Sequence, residues 1–177
     1  TSVCQGGVGG YPTSTDLVGS SPMGSLDLYL VKINSGTGDT IWERTYGGSG
    51  FESADELLPN NTGGVVVGAY SASTDLTQTN NGSFDYWMFS TDGNGDVLWE
   101  RLYGGPGLDA VRSMAQMPDG GFVLAGQSGS GVGGDKIEEN KGFDDIWVVK
   151  TNSVGEMLWE KTIGGAGYDW GQAAYAL

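Results

Sequence analysis

Three tryptophans each carry a basic residue two positions on: Trp42 with Arg44, Trp99 with Arg101 and Trp159 with Lys161. In an extended strand such pairs share one face. An indole beside a cation suits two tasks. It can stack on a sugar ring in a cleft, or it can pack inside the protein with the basic stem lying over the ring. A second set of three is acidic: Glu52, Asp109 and Asp169 each follow a G-x-G turn. Gathered at one mouth of a channel, they would bind a cation or shift one another's pKa values. As turn residues they would accept backbone N–H groups instead.

Long polar loops hold Asp16, Asp75, Asp135, Glu138 and Glu139, and Asp27, Asp85 and Asp145 open the apolar segments that follow them. Carboxylate and amide oxygens gathered in this way are candidate calcium ligands, so Ca2+ is the one cofactor expected. The alternative is that Asp, Asn, Ser and Thr cap the loops through local hydrogen bonds. The turn Asp92-Gly93-Asn94-Gly95-Asp96 places oxygens at positions 1, 3 and 5 of a calcium loop, but Val97 and Tyr103 stand where an EF-hand needs Gly and Glu. The turn is read as a plain reversal. Ser90 and Asp92 also match part of a sialidase Asp-box. Only Arg44, Arg101 and Arg112 are available for a substrate carboxylate, too few for that chemistry. A glycan hydrolase needs two carboxyl groups in a defined spacing, and Glu138 with Glu139 is a weak candidate.

Composition removes other classes. The chain has no histidine, which excludes Ser-His-Asp triads, Cys-His dyads and His-ligated metals. Cys4 is the single cysteine and forms no intrachain disulfide. With 22 acidic and 8 basic residues the net charge is −14. Such a surface repels phosphate backbones, so no nucleic-acid partner is expected. No apolar run approaches the ~20 residues of a membrane helix.

The elements that must position these residues come from a repeat. IWERTYGGSG at 41–50 returns as LWERLYGGPG at 98–107 and LWEKTIGGAG at 158–167. Gly47, Gly104 and Gly164 are 57 and 60 residues apart, the signature of a repeat architecture. Each unit holds four segments with strand character. In the middle copy these are a (51–58), b (65–71), c (85–91) and d (96–103). Segments b and c are almost continuously apolar, as strands covered on both faces are. Segment d alternates, and segment a is rich in small residues, which suit a crowded axis. The expected fold is all-β, a β-propeller of four-stranded blades. A parallel β-helix is the rival, but it leaves the four strand characters unexplained.

The chain starts inside a repeat, so the strand order reads bcd-abcd-abcd-a. As one partial propeller over 1–177, it divides into 1–46, 51–103, 108–163 and a closing segment a at 168–177. Closed propellers hold roughly four to eight blades, and this chain supplies three. Its partner is then either the remainder of a longer parent chain or a second copy that closes a six-bladed ring.

The stretch DIWVVKTNSVGEMLWEKTIGGAGYD at 145–169 and the turn PDGG with FVLAGQS at 118–128 resemble the repeats of large secreted and cell-surface proteins of Bacteroidetes-type bacteria, many of which end in a type IX secretion sorting domain. The resemblance recurs three times and covers nearly the whole chain. The first copy departs from it at Gly6-Gly7-Val8-Gly9-Gly10. It implies an extracellular or surface-attached bacterial propeller and supplies no activity. The sequence therefore points to a non-catalytic binding, adhesion or structural module. The alternative is a carbohydrate-binding lectin that uses the clefts between blades, with glycans or other cell-surface molecules as partners.

Overall fold

The computed structural model describes residues 26–175. Asp16, Cys4 and segment b of the first repeat lie outside these residues. The described chain is all-β, with ten strands and no helix. None of its elements is a helix long and apolar enough to cross a membrane.

Two strands form the first sheet, β1 (Leu28–Ile33) and β2 (Thr40–Tyr46). The second sheet runs β3 (Glu52–Pro59), β4 (Val65–Ser71), β5 (Asp85–Thr91) and β6 (Val97–Tyr103). The third runs β7 (Asp109–Gln116), β8 (Phe122–Ser128), β9 (Asp145–Thr151) and β10 (Met157–Ile163). Within each sheet, strands that are neighbours in sequence pair antiparallel, so the four-stranded sheets are simple meanders. The strands of the second sheet match the segments read from the middle repeat to within a residue.

The two middle strands show why apolar runs belong there. In β4 and β5 alternate side chains leave opposite faces of the sheet. Val66, Tyr86 and Met88 enter one core with Val111, Leu124, Trp147 and Val149 of the third sheet. Val65, Val67, Ala69, Trp87 and Phe89 enter another with Leu28, Leu30 and Tyr46 of the first. Both faces are covered, so both sets of positions are apolar. The outer strands β2, β6 and β10 have exposed starts; Ile41, Leu98 and Leu158 are all more than half exposed.

A repeated motif joins the sheets. The N–H of Glu52 donates to the carbonyl of Leu26, that of Asp109 to Phe84 and that of Asp169 to Asp144, at 2.7–2.8 Å. The expected strand a at 168–177 is the exception, because no strand is formed over its described part, 168–175. Its N–H groups at Gly171 and Ala174 instead reach Gly126 O (3.3 Å) and Ser113 Oγ (3.1 Å) on the third sheet. A strand exists through its ladder, and no described strand pairs with this segment.

Candidate functional site

The recurring tryptophans meet the turn of the next sheet. The Trp42 indole N–H donates to Gly93 O (2.9 Å), and Tyr46 Oη donates to Gly95 O (2.6 Å). Gly95 has φ +86°. A Cβ there would lie 3.1–3.2 Å from Arg44, Tyr46 and Trp42, so this close approach requires glycine. One repeat on, Tyr103 Oη donates to Gly155 O, and a Cβ on Gly155 would lie 2.7 Å from the Trp99 ring and 3.0 Å from Arg101. Trp42, Arg44, Trp99 and Arg101 are thus held against a neighbouring turn. Trp159 is different, 50% exposed, and Lys161 forms an ion pair with Glu138.

The glutamate after each tryptophan also has a use. Glu100 accepts from Thr77 N (2.9 Å) and the Trp87 indole (3.2 Å). Glu160 accepts from Ile137 N, Glu138 N and the Trp147 indole (2.6 Å). It ties the long loop to the core. Glu43 accepts from Tyr29, which raises the phenol to about 12.

The three acids after the G-x-G turns are not brought to one another. Glu52 accepts from Gly48 N (3.2 Å) and from the Ser71 and Ser73 hydroxyls. Asp109 accepts from Gly105 N (2.7 Å) and Ser130 Oγ (2.8 Å), and Asp169 from Gly165 N (2.7 Å). Each instead approaches the aspartate that opens a third strand. A Cβ on Gly47 would lie 2.4 Å from oxygens of both Asp27 and Glu52, and one on Gly164 would meet Asp145 and Asp169. At Gly104 the clash is with Asp85, 2.2 Å away. The first glycine of G-G-x-G recurs because a carboxylate fills the space of its side chain.

Burial pushes Asp85 up to about 7, with Asp109 and Asp135 adding repulsion. Asp109 and Asp135 are also raised, chiefly by burial. The Oδ1 atoms of Asp85, Asp109 and Asp145 are buried without a hydrogen-bond partner.

The candidate calcium ligands separate. Asp75 accepts from Ser49 N (2.8 Å), which holds it below the usual carboxylate range. Glu138 serves Lys161 and Thr162 N. Asp145 accepts from Lys141 N (2.5 Å). Asp135 lies nearest to Asp85, linked through Asn81, whose N–H donates to Asp85 and whose side-chain amide donates to Asp135. Among the described residues no group of three or more acidic or sulfur ligands is spaced to hold a metal ion. The turn carboxylate of Asp92 accepts from Asn94 N (2.8 Å) and Asp96 N (3.0 Å), and Asn152 does the same for Val154 and Glu156.

A cleft of about 410 Å3 opens between the second and third sheets. Trp99 and Leu98 supply its apolar wall, and Asn61, Thr62, Gln116 and Ser153 its polar rim. Asn61, Thr62 and Ser153 belong to reversals between strands, and Gln116 ends β7. The sequence signal for Asn61 and Thr62 is the departure of the turn PNNTGG from PDGG at the equivalent place. No protein-family model matches the chain, and no curated protein matches it.

Proposed function

We propose that the chain forms part of an extracellular, non-catalytic β-propeller of bacterial surface-protein type, serving as a binding or adhesion module. One observation carries this reading. The same junction between sheets is built twice, Trp42 and Tyr46 on the turn at Gly95, then Trp99 and Tyr103 on the turn at Gly155. The two halves of a third such junction stand apart. Trp159 and Ile163 are each 50% exposed, and a Cβ on Gly38 (φ +80°) meets no described atom within 4 Å. Gly38, Gly95 and Gly155 occupy the same place in their turns. The end of the array is complementary to its beginning, so a further repeat, from the parent chain or a second copy, fits both. Trp42, Trp99 and the repeated carboxylates are occupied in local and inter-sheet contacts, which supports a structural reading of them over a catalytic one.

The test is native mass spectrometry and sedimentation of the chain, with Trp159→Asp beside it. A dimer that Trp159→Asp dissociates supports closure by a second copy. A monomer at high concentration assigns the completing repeats to the parent chain. Titration with calcium in the same experiment separates bound ion from capped loops.

A second reading, a lectin using the cleft between sheets, is favoured by the polar rim and indole at Trp99. Glycan-array binding lost in Asn61→Ala and Trp99→Ala variants that remain folded supports it. No binding across a broad panel rejects it.

A further inference from the structure

Residues that recur build the frame, and residues that break the recurrence gather in one place. Glu52, Asp109 and Asp169 align the first segment of each repeat. One position later the copies hold Ser53, Ala110 and Trp170; three positions later they hold Asp55, Arg112 and Gln172. On the second strand Tyr70 is replaced by Gln127. Asp55, Arg112, Gln127, Trp170 and Gln172 line a single cleft of about 360 Å3.

The backbone aims two of them. The register of β3 on β4 steps from Ala54↔Ala69 to Glu56↔Gly68, which leaves Asp55 without a partner across the ladder. That of β7 on β8 steps from Val111↔Gly126 to Ser113↔Ala125 and leaves Arg112 likewise. Each is the extra residue of a bulge, a device that re-aims a side chain and is enriched beside binding sites. A Cβ on Gly126 would lie 2.1 Å from Ala110 O and 2.7 Å from Val111 Cα, so the bulge at Arg112 needs this glycine.

The charged pair is held but not closed. The Arg112 guanidinium is 3.6 Å from the Asp55 carboxylate, too long for a direct hydrogen bond, and lies over the Tyr70 ring at 5.6 Å. Burial raises Asp55 and Arg112 opposes that shift. Trp170 is 54% exposed, and Tyr168 and Phe143 continue the aromatic surface beyond it.

We propose that this cleft binds a neutral pyranose, either a single sugar or the end of a glycan chain. An anionic ligand meets Asp55 and a protein of net charge −14; a cationic one meets Arg112. A neutral polyol meets neither cost. A hydroxyl both donates and accepts, so one of two adjacent hydroxyls accepts from Arg112 while the other donates to Asp55. The amides of Gln127 and Gln172 extend the array, and the indole offers a flat surface for the C–H face of the ring. The volume lies near the lower end of the roughly 300–1,000 Å3 range of small-molecule sites. All five residues belong to one chain, so the inference requires neither ring closure nor the cleft at Trp99.

The experiment is saturation-transfer NMR and tryptophan fluorescence on the full chain with the methyl pyranosides of glucose, galactose and mannose. Glucuronate and glycine serve as charged comparisons. At least one methyl pyranoside binds saturably and better than both charged compounds. Trp170→Ala and Arg112→Gln each weaken it about tenfold or more, while Trp99→Ala leaves it unchanged. Trp170 is on an exposed segment outside any strand, so its variant keeps the fold even if Arg112→Gln does not. The proposal fails if none of the three pyranosides binds, if a charged compound binds better, or if binding survives Trp170→Ala. Loss on Trp99→Ala alone assigns the sugar to the other cleft and also overturns it.

Discussion

Trp99 and Trp159 occupy the same place in successive repeats and have opposite surroundings. Trp99 lies against Gly155 of the third sheet, while Trp159 is half exposed. The same contrast runs through the G-G-x-G turns. A Cβ on Gly105 would lie 2.6 Å from Ser130 Cβ, whereas one on Gly165 has only an Asp169 oxygen at 3.9 Å. A recurring residue thus encodes a junction, and the junction exists only where the next sheet supplies the other half. The sharpest way to break this comparison is to add a methyl group at both places. Gly105→Ala is expected to cost about 3 kcal/mol, the range of overpacking against a buried wall, and Gly165→Ala less than about 0.5 kcal/mol. Urea unfolding of the two variants measures both. Equal losses would mean that the second junction is closed in solution.

Truncating the tryptophans gives the next largest difference. Trp99 packs against the core between the second and third sheets, and Trp99→Ala is expected to cost about 2–3 kcal/mol. Trp159→Ala is expected to cost less than about 1 kcal/mol in the monomer. Thermal melts at two protein concentrations sharpen the result. If a second copy covers Trp159, its variant loses stability at high concentration only.

Most of the strands were legible in the sequence because their physical causes are local. DYWMFST and FVLAGQS are apolar at every other position on both faces, and only strands covered twice need that. The turns were legible for the same reason, since Asp92 and Asn152 cap their own backbones. The pocket of Asp55, Arg112 and Trp170 was not. Its residues lie in segments otherwise read as small-residue strands, and the bulge that aims Arg112 depends on Gly126 across the ladder. The recurring carboxylates were legible as a set but not in their grouping. Asp85 meets Asp109 only once two sheets are stacked, a relation that sequence spacing does not contain. The closing strand over 168–177 was read from its likeness to segments a, yet pairing needs a partner.

The buried carboxyls at the closed junction make stability depend on pH. Asp85 is raised to about 7, and Asp109 is raised in the same direction, each chiefly by burial. Between the unfolded value near 4 and this folded value, the folded state holds a proton that the unfolded state has released. Stability from Asp85 is therefore full below about pH 4 and is lost as pH rises through about 7. Asp85→Asn keeps an acceptor for Asn81 N–H but cannot ionise. Its melting temperature relative to wild type is expected to rise between about pH 4 and pH 7 and to level off above that. A difference that is flat with pH would show that Asp85 stays charged throughout.

The smallest expected effect tests the junction one atom at a time. Tyr46 and Tyr103 donate their hydroxyls to the carbonyls of Gly95 and Gly155, and the third copy has Ile163 in their place. Burial raises both phenols, Tyr46 to about 12, so each remains a donor throughout the neutral range. Removing the hydroxyl leaves a carbonyl without that donor, at a cost of about 1 kcal/mol per site. Tyr46→Phe and Tyr103→Phe lie in different cores and share no partner, so their losses are expected to add. Chemical denaturation of the singles and the double variant measures this. A double loss well beyond the sum would mean that the two junctions support each other through the second sheet. An additive loss would mean that each repeat is held by its nearest neighbour alone, the behaviour of a linear array.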